Sequence, residues 1–257
     1  MTTNQAFKIL SDIAGPHVAR IITDAMPNMG RLQLFRVSYA LRRDVPVAKI
    51  IHNKWFYGLK FYTNKHTLDP RPDTETLVDA VLTDYAGVKN FTIADIGTGT
   101  GCIICAIAKN APATGIAIDK SRAALRVARK NVCDLGLGDK ISVRHGDFNR
   151  VSALPEKSVD VIVSNPPYIA HGDTRVDTGA MHDPKMALFA KNNGMAAYMA
   201  IAQNGKQWIR DNGRIYVEIG IGMEHDVKKI FEDAGWRFIK HATDLGGVIR
   251  VLCFGMK

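Results

Sequence analysis

The spacing of apolar residues changes after about the first 50 positions of the chain. In the first 52 residues, apolar side chains recur at steps of three and four, as at Leu34, Val37 and Leu41, which is the spacing of one helix face. Three prolines interrupt this pattern, so it predicts several short helices. Two aromatic runs then flank Gly58, which predicts a β-hairpin.

Beyond the hairpin, runs of strand length alternate with helical patterns. A helix is expected to begin at Asp73, because aspartate is a favourable N-cap residue. Repeated βα units predict a parallel sheet covered on both faces, and a short link before the final strand predicts that the last two strands pair antiparallel. The stretch 169–193 is expected to be irregular. The expected strands are 91–96, 114–118, 141–143, 159–164, 214–219, 236–241 and 248–254.

These patterns divide the chain into three expected parts. Residues 1–52 form a helical domain, residues 53–72 form the hairpin and a linker, and residues 73–257 form an α/β domain. The two prolines near the end of the linker exclude a helix there.

The composition is that of a globular protein, with 46% hydrophobic and 23% charged residues. No apolar run reaches the ~18 residues of a membrane helix, and the first residues lack a secretory signal pattern. Four cysteines are too few for a disulfide scaffold, which indicates a reducing cytosol. Cys102 and Cys105 have C-x-x-C spacing without a second ligand pair, so a buried helix is expected there rather than a metal or redox site.

The net charge of +9 is concentrated at the start of the chain. Residues 1–65 hold ten Lys or Arg and three Asp, which gives +7, whereas the remaining residues hold 24 basic and 22 acidic side chains. A basic segment of this kind favours an acidic partner, either protein or nucleic acid. The alternative is a solvated basic helix face.

A glycine-rich loop follows the first strand of the α/β domain. It has the spacing G-x-G-x-G, and Cys102 stands where a dinucleotide fingerprint needs its last glycine, which favours a nucleoside ligand without a pyrophosphate. Asp119 ends the next strand, where a carboxylate can accept both hydroxyls of a ribose. The residues of the loop are Asp95, Gly97, Thr98, Gly99, Thr100 and Gly101.

Two further motifs follow later strands. Asp147 and Phe148 suit an adenine, which offers an amine and a flat apolar face. The run Asn165, Pro166, Pro167 and Tyr168 closes the strand 159–164. Its two prolines fix the backbone and remove two N–H donors, so the edge presents oxygen acceptors that match the two hydrogens of an NH₂ group.

These four motifs, in this order and spacing, resemble the class I S-adenosylmethionine-dependent methyltransferases. The Asn-Pro-Pro-Tyr form narrows the resemblance to enzymes that methylate a planar nitrogen. Residues 56–59 and 70–75 resemble the signature of the protein-(glutamine-N5) methyltransferases of peptide chain release factors. Residues 183–188 and 244–251 extend the similarity, although Asp183 stands where a glutamate is expected.

The resemblance implies a Rossmann-like, seven-stranded α/β sheet with its last strand antiparallel, preceded by a small helical substrate-recognition domain. It implies S-adenosylmethionine as the cofactor and the glutamine of the Gly-Gly-Gln motif of release factors as the substrate. A cytoplasmic monomer without metal, membrane or nucleic-acid partners is expected. The implied catalytic residues are Asn165, Pro166, Pro167 and Tyr168; the cofactor-binding residues are Asp95, Gly97, Thr98, Gly99, Thr100, Gly101, Asp119, Asp147, Phe148 and Asn165; the substrate-positioning residues are Arg71, Pro72 and Glu75.

Three other functions remain open from the sequence. An N6-adenine methyltransferase of DNA or RNA would share the glycine loop and the Asn-Pro-Pro-Tyr run, and would suit the basic N-terminal segment. A ribosomal-protein glutamine methyltransferase would differ mainly in the loop 70–75. A cofactor-binding module without activity is the third, and the intact run 165–168 argues against it.

Overall fold

Ten helices and eleven strands lie within the residues that the computed structural model describes, which are 2–170, 172 and 181–257. The helices are α1 (Thr3–Ala14), α2 (Pro16–Ala25), α3 (Arg31–Leu41), α4 (Val47–Ile51), α5 (Glu75–Asp84), α6 (Cys102–Asn110), α7 (Arg122–Asp134), α8 (Lys185–Leu188), α9 (Ala196–Trp208) and α10 (Glu224–Asp233). The strands are β1 (Asn53–Phe56), β2 (Leu59–Tyr62), β3 (Phe91–Ile96), β4 (Ala113–Asp119), β5 (Ile141–His145), β6 (Val159–Ser164), β7 (Ile169–Ala170), β8 (Phe189–Ala190), β9 (Ile209–Glu218), β10 (Trp236–Thr243) and β11 (Ile249–Met256).

The N-terminal segment folds into the short helices α1 to α4, as the apolar spacing predicts. Thr2 caps α1 by accepting a hydrogen bond from the backbone N–H of Gln5, whose side chain bonds back to the Thr2 backbone. Pro16 is the first residue of α2, where a missing N–H costs nothing. The helices enclose their own buried apolar cluster, made of Ala6, Leu10, Ala19, Ile22, Met29, Leu34 and Val37.

The predicted β-hairpin is present and is tied to the α/β part of the chain. Strands β1 and β2 pair antiparallel, with Phe56 opposite Leu59, and Phe56 is buried in the large core. The side chain of Asn131 on α7 accepts the Tyr62 backbone N–H at 2.7 Å and donates to the Tyr62 carbonyl at 3.0 Å. Asn131 also donates to the Thr100 carbonyl at 2.8 Å, so it links the hairpin to the glycine loop.

The central sheet has the strand order β10-β11-β9-β6-β3-β4-β5. Strands β9, β6, β3, β4 and β5 run parallel, and β11 is antiparallel to both of its neighbours. The expected seven-stranded α/β sheet with an antiparallel last strand is therefore confirmed.

Helices cover both faces of the sheet because its central strands are apolar on both sides. On one face, Ile93 and Val161 pack in a cluster with residues of α5, α6 and α7. On the other face, Ala94 and Ile162 pack with residues of α9 and α10. Cys102 and Cys105 are buried in α6, as expected, and Cys253 is buried in β11, whereas Cys133 is exposed on α7.

Two predicted starts are wrong by two residues or more, those of α5 and β9. Helix α5 begins at Glu75 rather than at Asp73, because residues Pro72–Thr74 form a 3₁₀ turn and the Asp73 carboxylate lies 2.8 Å from the Arg250 guanidinium instead of capping the helix. Strand β9 begins at Ile209 rather than at 214, since an irregularity in its pairing with β6 accommodates the polar residues before Gly213.

The stretch 169–193 is more regular than expected. Its described residues include β7, which pairs parallel with β8, and the short helix α8. Residues 171 and 173–180 of this stretch lie outside the described residues. Among the described helices, none is long and apolar enough to cross a membrane.

Candidate active site

A cavity of about 580 Å³ opens at the carboxyl ends of β3, β4 and β6. This is the edge where open α/β sheets bind ligands, and the volume suits a small molecule. Its walls come from the glycine loop, the start of α7, the turn after β5 and the end of β6. The loop 66–74 and the segment 184–191 close the remaining sides.

The glycine loop forms the floor of the cavity. Gly97 and Gly99 have φ angles of +75° and +56°, which favour glycine over other residues. A Cβ atom at Gly97 would meet no atom within 4 Å, and one at Gly99 would meet only the Gly97 carbonyl at 4.0 Å. The backbone N–H groups of Gly97 and Thr98 both donate to the Ile118 carbonyl at 2.9 Å, which fixes the loop against β4. The loop thus presents bare backbone to a ligand.

Asp119 lies beside this loop at the end of β4. Its Oδ2 accepts the Gly99 backbone N–H at 3.0 Å, and its Oδ1 accepts the Ser121 backbone N–H at 2.8 Å. Each carboxylate oxygen keeps further acceptor capacity, which suits a pair of hydroxyls on a ligand. Burial raises the pKa of Asp119 above its usual value.

Asp95 lies beneath the glycine loop and is fully buried. Its Oδ2 accepts a 2.6 Å hydrogen bond from the Thr98 hydroxyl, so it supports the loop from behind. Burial raises the pKa of Asp95 to about 7. The described cavity walls include Thr98 and Thr100 but not Asp95. A direct contact of Asp95 with a cofactor stays a prediction.

The structure separates the two members of the predicted adenine motif. Phe148 lines the cavity together with Asn149, which the sequence did not single out. The Asp147 carboxylate accepts hydrogen bonds from the Asn149 backbone N–H at 3.0 Å and from its side-chain Nδ2 at 2.6 Å. Asp147 therefore shapes the turn that carries Phe148, and its predicted contact with adenine is untested.

The run 165–168 leaves β6 at the cavity wall. Asn165 and Pro167 line the cavity. Asn165 donates from Nδ2 to the Thr74 hydroxyl at 3.1 Å. Tyr168 packs with the core on the far side of the sheet, and its burial raises the pKa of its hydroxyl to about 12. Pro166 and Tyr168 are absent from the described part of the cavity wall.

Only one of the three predicted substrate-positioning residues faces the cavity. Arg71 lines it and donates from its guanidinium to Asp183 Oδ2 at 2.9 Å. Glu75 instead accepts the Tyr57 backbone N–H at 2.7 Å and so holds the hairpin. Pro72 starts the 3₁₀ turn before α5. Within the described residues, Pro72 and Glu75 stabilise the structure around the cavity rather than line it. Their predicted role in positioning the substrate is untested.

The chain is similar to known methyltransferases. The family model described as "Methyltransferase small domain" matches residues 67–217. The release factor glutamine methyltransferase of Caulobacter vibrioides is 34% identical over 95% of this chain and 86% of its own length. The protein of that name from Cereibacter sphaeroides is 38% identical over 80% of this chain and 73% of its own length.

The chain belongs to the release factor glutamine methyltransferase family. A solved structure of a ribosomal protein L11 methylase from Lactobacillus delbrueckii superposes with a TM-score of 0.53 at 17% identity, covering 75% of this chain and 82% of the other. This likeness concerns the fold alone.

A buried ionic cluster joins three separate parts of this family member. Lys49 Nζ on α4 lies 2.8 Å from Asp69 Oδ1 and 2.8 Å from Asp183 Oδ1, and Arg71 binds the other oxygen of Asp183. Lys49, Asp69 and Asp183 are all buried. The cluster therefore connects the N-terminal helices to two walls of the cavity. In the sequence Lys49 is one of the ten basic residues of the segment 1–65, and no local pattern indicates its role in this cluster.

Glu218 is a second residue that sequence reasoning missed. It is the last residue of β9, is only 3% exposed, and burial raises its pKa to about 7. The available signal was a lone acid within the apolar run that ends this strand, since buried acids are rare and need a reason.

Proposed function

We propose that this protein transfers a methyl group from S-adenosylmethionine to the side-chain amide nitrogen of the glutamine in the Gly-Gly-Gln motif of peptide chain release factors. Membership of the release factor glutamine methyltransferase family supports this proposal. The observation that carries it is the position of Asn165, whose side-chain amide lies on the wall of the same cavity as the glycine loop and Asp119.

The residues on the floor of the cavity fit the proposed cofactor. When bound, S-adenosylmethionine supplies an electrophilic methyl group on a positively charged sulfur. Asp119 is positioned to accept the two ribose hydroxyls, and the backbone at Gly97 and Gly99 leaves room for the nucleoside. Phe148 offers an apolar face to the adenine ring.

Asn165 and Pro166 act on the substrate amide. We assign one N–H group of the glutamine to the Asn165 side-chain oxygen at the cavity wall, and the other to the carbonyl of the next residue, Pro166, although Pro166 is not among the described residues that line the cavity. Together they hold the amide nitrogen in line for attack. An amide nitrogen is a poor nucleophile, and it gains positive character as the new bond forms. Both hydrogen bonds then strengthen, which stabilises the transition state more than the ground state. The amide proton leaves to water.

The exposed face of α3 is the proposed docking surface for the release factor. Leu32, Phe35 and Tyr39 follow one face of this helix and are 65%, 69% and 54% exposed. Exposed arginines surround them, and Arg43 donates to the Tyr39 hydroxyl at 2.6 Å. An apolar strip bordered by positive charge fits a protein surface that combines apolar and acidic side chains. We propose that the enzyme acts on this partner as a cytoplasmic monomer.

Methyl transfer with several acceptors tests this function. The protein is incubated with labelled S-adenosylmethionine and a release factor, and the methylated peptide is located by mass spectrometry. The matched control is the same release factor with its Gly-Gly-Gln glutamine replaced by asparagine. We expect label on that glutamine alone. Label on a ribosomal protein or on DNA adenine in parallel incubations, and none on the release factor, would assign one of the alternative activities instead.

A further inference from the structure

Glu218 lies directly behind Asn165 at the cavity edge of the sheet. Val217 on β9 is the register partner of Ser164 on β6, so the next residues of the two strands, Glu218 and Asn165, are neighbours. Thr74, at the end of the 3₁₀ turn, completes the group, because it accepts the hydrogen bond from Asn165 Nδ2 at 3.1 Å. Burial raises the pKa of the Glu218 carboxyl, and hydrogen bonding to the side chains of Thr74 and Asn165 acts in the opposite direction and lowers it.

The surroundings of Glu218 argue against a role as a structural ion pair. Within the described residues, no basic group lies within 4 Å of its carboxylate, and Oε2 has no hydrogen-bond partner. Arg250, whose charge lowers the pKa of Glu218, is already bound to Asp73 at 2.8 Å and to Asp244 at 2.8 Å. A buried carboxylate without a counter-ion lowers stability, so its presence calls for another reason.

We infer that Glu218 is present because the oxygen and the nitrogen of the Asn165 side-chain amide differ in their hydrogen bonding. Its oxygen only accepts hydrogen bonds and its nitrogen only donates them. The Thr74 hydroxyl donates to Glu218 and therefore turns a lone pair toward Asn165. Above the Glu218 pKa of about 7, where the carboxyl is ionised, two acceptors on the inner side of Asn165 require Nδ2 there, since the reversed amide would place Oδ1 against a carboxylate. The oxygen must then point to the other side, where Asn165 lines the cavity.

We propose that Glu218, together with Thr74, is a positioning residue that holds the Asn165 side-chain oxygen toward the substrate amide. Glu218 does not itself touch the substrate. This inference rests on the proposed function, because it assigns a role within the same site.

The variant Glu218→Gln tests the proposal with almost no change of shape. Glutamine brings an N–H donor that can bind Asn165 Oδ1, so the reversed amide becomes accessible. We expect kcat on the release factor to fall about tenfold to a hundredfold, with the affinity for S-adenosylmethionine unchanged within twofold. Thr74→Val, which removes the hydroxyl, is expected to lower kcat in the same way. Asp84→Asn is the matched control, since it removes a largely buried carboxylate at the opposite edge of the sheet.

A double-mutant cycle separates positioning from general structural damage. If Glu218 acts through Asn165, Glu218→Gln adds less than twofold to the loss already caused by Asn165→Ala. Equal losses in both backgrounds would overturn the proposal, and so would an unchanged kcat in the single variant.

Amide hydrogen exchange gives a readout that does not depend on activity. The Asn165 side-chain NH₂ resonance is identified by its absence in Asn165→Ala, and its exchange with solvent is expected to be at least tenfold faster in Glu218→Gln. Slow exchange that persists in the variant contradicts the positioning role. If instead the wild-type protein fails to methylate a release factor but the exchange result holds, the proposed substrate is wrong and the positioning role stands.

Discussion

At the scale of single residues, Asn165 carries the largest expected effect. Asn165→Ala removes one preorganised acceptor at the reacting nitrogen, so kcat on the release factor should fall ~10²–10³-fold. The affinity for S-adenosylmethionine should change little, because the glycine loop and Asp119 are intact. Steady-state kinetics together with calorimetry of cofactor binding measures both quantities. Near-normal turnover in this variant would exclude the assigned role of Asn165.

Asp119 is expected to affect cofactor binding instead. Asp119→Ala removes the acceptor for the ribose hydroxyls and leaves the N–H groups of Gly99 and Ser121 without their partner. We expect S-adenosylmethionine binding to weaken by ~1–3 kcal/mol, as measured by calorimetry. Asp139→Ala, at an exposed turn, is the matched control. Equal affinities of the two variants would remove Asp119 from the cofactor site.

The raised pKa of Asp95 predicts that the stability of the protein depends on pH. Its folded-state pKa of about 7 lies above the usual 3.8, so the folded protein binds this proton more tightly than the unfolded chain does. The resulting stabilisation is complete below pH ~4 and is lost as the pH rises through 7, by up to ~4 kcal/mol. Urea denaturation between these pH values should therefore show a steeper loss of stability for the wild type than for Asp95→Asn. If wild type and Asp95→Asn lost equal stability over this pH range, the pKa of Asp95 would not be raised in the folded protein.

At the scale of elements, the cluster around Lys49 links α4, the loop 66–74 and the segment that carries Asp183. Lys49→Met leaves the two buried carboxylates of Asp69 and Asp183 facing each other with only Arg71 to balance them. We expect the free energy of unfolding to fall by ~3–5 kcal/mol in chemical denaturation.

The matched control for Lys49 is an exposed ion pair. Lys229→Met breaks the pair with Asp233 on α10, where both side chains are 65% exposed. This change should cost at most ~0.5 kcal/mol. If the two lysine variants lost the same stability, burial would not be the source of the effect at Lys49.

The elements that could be predicted from sequence are those with a local signal. The hairpin around Gly58 and the strands follow from aromatic runs and apolar periodicity, and β6 was predicted with its observed bounds. The start of α5 was wrong because Asp73 pairs with Arg250, a partner far along the chain. The Lys49 cluster was missed for the same reason, since its members come from segments that only the fold brings together.

The residues of the candidate site also differ in whether a local sequence signal could predict them. The glycine loop, Asp119 and Asn165 were predicted because each follows a strand in a recognisable motif, and all three lie at one cavity. Asp147 and Glu75 are in the expected motifs, but their carboxylates bind Asn149 and the Tyr57 backbone. Side-chain direction of this kind depends on neighbours that a motif does not specify. Glu218 belongs to no motif, and its position as a lone acid in an apolar run is the only sequence signal that points to it.

At the scale of the whole molecule, the uneven charge is the main feature for association. Lys49 is neutralised inside the protein, so the positive surface of the N-terminal segment depends on exposed residues such as Arg42 and Arg43. Replacing both arginines by glutamine should raise KM for the release factor about fivefold, which corresponds to ~1 kcal/mol, and leave KM for S-adenosylmethionine unchanged.

Salt dependence provides the second measurement of this effect. The difference between wild type and the double variant should shrink as salt rises, because the Debye length is only ~8 Å near 0.15 M. Lys228→Gln with Lys229→Gln on α10 makes the same change of charge elsewhere and serves as the control. A KM for the release factor that does not respond to salt would favour a solvated basic face without a docking role.

The distribution of the four cysteines makes the protein suited to fluorescence work without further engineering. Burial raises the pKa of the Cys102 and Cys253 thiols to about 12 and also raises that of Cys105, so these three resist alkylation at neutral pH. Cys133 is exposed near the end of α7. A maleimide dye attached there lies roughly 13 Å along the helix from Ala124 at the cavity wall, so the label marks the helix that borders the cavity without occupying the cavity itself.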